Sequence, residues 1–126
     1  MARNILDESR IHPAIRDKVA TRHADIVGEV QEAVAANAVV VVGLAWNPHV
    51  WKAKRLLDSA GIAYRHLQYG NYLSGWRRRN ALKMWTGWPT FPMVFVKGVL
   101  VGGAADLEAL AASGELERML AQGGPT

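Results

Sequence analysis

The stretch from Val39 to Ile62 reads VVVVGLAWNPHVWKAKRLLDSAGI. Ala38 to Leu44 is rich in β-branched residues with no polar alternation, which predicts a strand buried on both faces of a sheet. Asn47 then offers a side-chain oxygen to the free N–H groups of a helix start, and Pro48 suits the first helical position. Trp51, Leu56, Leu57 and Ala60 continue that helix until Gly61 stops it. Strand, short loop, helix and glycine make half of a βαβ unit.

Working outward, Ile62 to Tyr69 predicts a second strand, parallel to the first because a helix crosses between them. Gly70-Asn71 turns the chain. Leu73 to Trp85 suits a helix with Leu73, Trp76, Leu82 and Trp85 on its apolar side and Arg77, Arg78, Arg79 and Lys83 over the rest of its surface. Met93 to Val96 and Val99 to Val101 are short strands joined by Lys97-Gly98, a two-residue hairpin signal. Asp106 to Ala112 and Glu115 to Ala121 read as helices interrupted by Ser113-Gly114. Before the first strand, Pro13 opens a stripe of Ile15, Val19, Ile26, Val30 and Val34, one long helix or two, with a break near His23 after which Asp25 would cap. The expected architecture is α/β, a four-stranded mixed sheet flanked by helices. It has an N-terminal helical extension over residues 1–24, one domain over 25–122 and a loose tail over 123–126.

Composition narrows the chemistry. The 126 residues include no cysteine, which excludes disulfides, thiolate metal sites and cysteine nucleophiles. Apolar residues at 50% and charged residues at 21% are the balance of a soluble globular domain. The longest purely apolar run, Ala38 to Val42, is far short of the roughly 18 residues of a membrane span, so no membrane association is expected. Met1 to Asp17 lacks an apolar signal core, and a cytoplasmic location is expected. The net charge of +4 is unevenly spread: residues 38–98 carry +8, and both flanks are negative. An anionic ligand, a nucleic acid or an acidic protein surface would be steered to the middle of the chain. His12, His23, His49 and His66 have no paired metal spacing, so no metal centre is expected.

Two motifs carry a resemblance. Trp46-Asn47-Pro48-His49-Val50, running into the x-K-A-K-x-L-L helix of Trp51 to Leu57, resembles the glutaredoxin W-C-P-Y-C loop and helix. WPTFPMVFVKGVLVGG, Trp88 to Gly103, is similar to that family's W-P-T-x-P-Q-x-F-x-x-G-x-x-x-G-G. Arg79, Leu82 and Lys83 ahead of Trp88 further resemble the monothiol, C-G-F-S type subfamily. The resemblance implies a thioredoxin-like (glutaredoxin) fold and a cis peptide bond before Pro92. It also implies a glutathione groove built from Asn47, Arg79, Lys83, Phe91, Pro92, Gly102, Gly103 and Asp106. The departures are specific. Asn47 and Val50 stand at the two cysteine positions, Leu44 where a lysine usually precedes the motif, and Ala105 where an aspartate usually meets the γ-glutamyl amine.

Without a thiolate, the chain's own residues cannot form a mixed disulfide, so no catalytic residue is assigned in the Trp46–Val50 loop. The expected function is a redox-inactive, glutaredoxin-related binding protein. Its ligand would be glutathione, a γ-glutamyl or peptide compound, or a partner protein. Asn47 serves there either as a plain N-cap or as a contact to a bound anion or thiol. Two alternatives stay open: a transferase-type enzyme in which glutathione supplies the thiol, and nucleic-acid binding through Lys52 to Lys97 with its interleaved tryptophans. A homodimer is also compatible with the sequence. Glutathione is the one cofactor implied.

Overall fold

A computed structural model describes residues 3–21, 23–70 and 76–121. After a single 3₁₀ turn the elements follow in the order α1 (Pro13–Thr21), α2 (Ala24–Ala36), β1 (Val39–Gly43), α3 (Pro48–Ser59), β2 (Arg65–Gln68) and α4 (Trp76–Thr86). The chain continues with β3 (Met93–Val96), β4 (Val99–Gly102), α5 (Ala104–Ala112) and α6 (Glu115–Ala121). The strands form one sheet in the order β2-β1-β3-β4, with β2 parallel to β1 and the other neighbours antiparallel.

The unbroken valine run of β1 is explained by its central place. Val40 and Val42 pack with Ile26, Val30, Leu82, Met93 and Phe95 under α2 and α4. Val39 and Val41 point the other way, onto Val50, Leu57, Leu107 and Leu116 of α3, α5 and α6. Successive strand residues alternate faces, so a strand covered on both sides needs an apolar residue at every position. Lys97 and Gly98 both have positive φ, 51° and 80°, which is the hairpin turn whose twist matches the strands it joins.

Several details differ from the sequence reading. The N-terminal stripe forms two helices with the break near His23, as expected, but His23 itself, in the left-handed region at φ 50°, is the N-cap of α2. Asp25 lies in the first turn instead, where its carboxylate meets Arg78 at 2.7 Å. The helix expected from Leu73 begins at Trp76 among the described residues, and the expected tail lies outside them. α5 starts at Ala104, because the Gly103 carbonyl already accepts the first helical bond, from the Leu107 N–H at 3.0 Å. On α4 the expected faces are partly inverted: Trp76 is exposed and Arg79 is buried. No helix among the described residues is long and apolar enough to cross a membrane.

Candidate functional site

The register of the sheet gathers the candidate residues along one edge of the layer, the one where the strand ends line up rather than an edge strand. Val42 pairs with Met93 and Val94 with Gly102, so the end of β1, the start of β3 and the end of β4 lie side by side. The chain leaving β2 is tied to the same edge, with the Tyr69 N–H donating to the Gly43 carbonyl and the Ala45 N–H to the Gly70 carbonyl, each at 2.8 Å.

Asn47 stands at the start of α3. Its Oδ1 accepts from the N–H groups of His49 at 2.8 Å and Val50 at 3.1 Å, and the residue is buried. Pro48 contributes no N–H, so the carboxamide takes up the first two donors of the helix. Trp46, just outside, is exposed and held in the left-handed region at φ 60°, while His49 is exposed. Val50 turns into the core against Gly43, where a Cβ would lie 2.5 Å from its Cγ2.

Across the edge, Phe91 and Pro92 are buried and joined by a cis peptide bond. The Lys83 ammonium lies 5.7 Å from the centre of the Phe91 ring, within reach of a cation–π contact. Arg79, on the preceding turn of α4, is 7% exposed and its Nη1 donates to the Tyr69 carbonyl at 2.9 Å. Burial lowers the guanidinium from its ordinary pKa, yet arginine titrates so high that it stays charged. The Gly103 N–H donates to Asp106 Oδ2 at 3.0 Å. Gly102 has φ 111°, and a Cβ there would come within 2.6 Å of that same oxygen, so this corner requires glycine on two counts.

Two further residues contribute outside the expected groove set. Tyr69 supplies the carbonyl that holds Arg79, and its hydroxyl donates to Glu29 at 2.7 Å. Burial, then the bond to Glu29, raises the Tyr69 pKa, so the phenol stays protonated. Trp88 places its indole nitrogen beside Gly103, and this N–H is buried with no hydrogen-bond partner. Nothing in the local pattern around Tyr69 signals a role beyond packing, whereas Trp88 opens the Trp88-Pro89-Thr90 motif. Among the described residues no three histidine or carboxylate side chains come together as a metal site.

The glutaredoxin family model matches residues 39–101, half of the chain. The chain belongs to the glutaredoxin family. A glutaredoxin-like protein of Dictyostelium discoideum is 49% identical over 84 residues, covering 67% of this chain and 68% of that one. A probable monothiol glutaredoxin 2 of Rickettsia conorii is 40% identical over 65 residues, 52% of this chain and 58% of its own length. Among solved structures, a buckwheat glutaredoxin in complex with glutathione superposes with a TM-score of 0.68 at 26% identity, covering 79% of this chain and 90% of its own.

This glutaredoxin-family chain contains no cysteine. The position from which the family's resemblance would have a thiolate project is filled by an uncharged cap, and the second cysteine position by a valine sealed against β1. Leu44 is buried among Tyr69, Phe91 and other core residues under α2 and α4, where a lysine's charge would need a partner. Ala105 is exposed and presents no polar atom beyond its backbone.

Proposed function

We propose that this glutaredoxin-family protein binds glutathione or a related γ-glutamyl or peptide compound at this sheet edge without reacting with it. The observation that carries the reading is the Lys83 ammonium 5.7 Å from the Phe91 ring, with Gly103 beside the Pro92 carbonyl and Asn47 following β1 where the same strands end. Lys83 offers a charge to a carboxylate, the glycine pair lets a ligand approach the backbone, and Phe91, just ahead of the β3 ladder, offers main chain for an extended peptide. Asn47 supplies polarity where a thiolate would react. An extended segment of a partner protein would meet the same groups. The buckwheat glutaredoxin, similar over most of this chain, was crystallised with glutathione.

Transferase chemistry fits the geometry less well. A helix N-terminus activates a bound thiol through its free N–H groups, and here the Asn47 carboxamide occupies those of His49 and Val50. Nucleic-acid binding is also poorly served, because the cations do not share a face. Lys52 on α3 pairs with Glu108 on one side of the sheet, while Arg78 on α4 pairs with Asp25 on the other.

The test is a titration of reduced glutathione followed by tryptophan fluorescence and calorimetry. Saturable binding with a Kd in the range of about 1 mM or tighter, lost in Lys83→Glu, is expected. The absence of any signal at roughly 10 mM would overturn the proposal and leave the groove to a protein ligand.

A further inference from the structure

Away from the sheet edge, α1, α2 and α4 enclose an open trough of about 1060 Å³. Its floor is apolar: Val27, Ala81 and Trp85 pack from below against the core under α2 and α4. Its walls carry large apolar side chains as well, and these face outward. Ile15 and Val19 on α1 are 45% and 49% exposed, and Trp76 and Met84 on α4 are 53% and 73% exposed. None of residues 13–20 is buried, so the apolar pair on α1 contributes to the trough and not to the core.

The walls have helical spacing. Trp76, Asn80 and Met84 stand at four-residue intervals along α4, a row about 12 Å long at the rise of an α-helix, and Ile15 and Val19 repeat that interval on α1. Such rows form the ridges between which a further helix seats. The glutathione contact proposed above uses Lys83, which does not line this trough.

Charge selects the occupant. The ionisable residues lining the trough are Lys18, His23 and Arg77, with no carboxylate among the described lining residues. The Arg77 guanidinium lies over the Trp76 ring, 5.1 Å from its centre, so one cation stands directly on the apolar wall. We propose that the trough docks an amphipathic helix of a partner protein, with its apolar row in the trough and aspartate or glutamate along its flanks. An uncharged or basic helix would desolvate Lys18 and Arg77 with no compensating charge, whereas acidic flanks pair with them.

The full chain should be titrated into three labelled helical peptides, read by fluorescence anisotropy. The first has a leucine row with glutamate flanks, the second has lysine in place of the glutamates, and the third has serine in place of the leucines. Saturable binding of the glutamate peptide is expected, with the lysine peptide weaker by about tenfold or more and the serine peptide silent. Trp76→Ala and Val19→Asp, both at exposed positions, should abolish it while leaving circular dichroism and the glutathione titration unchanged. Equal binding of the acidic and basic peptides, or none of either, would overturn the proposal. So would a dimer in sedimentation that Val19→Asp dissociates, because the trough would then be filled by a second copy. The glutathione titration reports on the other site, so the two readings fail independently.

Discussion

Arg79 donates from Nη1 to the carbonyl oxygen of Tyr69 at 2.9 Å, and both residues lie beneath the surface. This bond ties α4 to the chain leaving β2 and so helps fix the distance between Lys83 and the rest of the groove. Arg79→Met keeps the length of the side chain and removes the donor. It should lower stability by about 1 to 3 kcal/mol, the cost of a buried carbonyl losing a charged partner. Chemical denaturation checks it; a change within about 0.5 kcal/mol would be that of an ordinary surface arginine.

The Asn47 cap separates stability from chemistry. Asn47→Ala removes the acceptor for the His49 and Val50 N–H groups and should cost about 1 kcal/mol. Asn47→Cys should place a thiol at the same helix start, with a pKa below the usual value of about 8.5. The pH dependence of its alkylation by iodoacetamide measures this. An ordinary pKa would mean that the start of α3 exerts no field at that position.

Gly43 and Val50 are predicted to be energetically coupled. A methyl group at Gly43 meets Val50 Cγ2 at 2.5 Å, inside contact distance, so Gly43→Ala should destabilise by about 1 to 3 kcal/mol. In a Val50→Ala background the same substitution should cost much less, because the space it needs has been vacated. A double-mutant cycle gives the coupling directly, and additive costs would show that the strand backbone, not Val50, resists the methyl.

His66 makes the fold sensitive to mild acid. Its Nε2 is buried without a partner, and burial, with the nearby Lys54 ammonium, lowers its pKa from the ordinary value of 6.5. The folded protein therefore resists protonation that the unfolded chain accepts. The stability owed to a neutral His66 is fully present above pH 6.5 and is lost as the pH falls below it toward the folded pKa. Thermal unfolding between pH 7.5 and 5 should show Tm falling with acid, and His66→Gln should flatten that slope. An unchanged slope in the variant would assign the acid sensitivity to other groups.

The sequence by itself determined the elements and their order. The valine run, the Asn47-Pro48 start, the Lys97-Gly98 hairpin and the glycine pair at 102–103 act through the backbone of their immediate neighbours, so local pattern suffices to read them. It also determined the chemistry that is missing, since a chain without cysteine has no thiolate in any conformation. The tertiary structure alone decided which way α4 faces. Three consecutive arginines look alike in sequence, but the Tyr69 carbonyl, ten residues away, draws Arg79 inward, while Trp76 is left at the surface beside α1. Burial of a charged side chain depends on a partner supplied by the fold, and exposure of an apolar one depends on which neighbours fail to cover it. Neither quantity is a property of the helix that carries the residue.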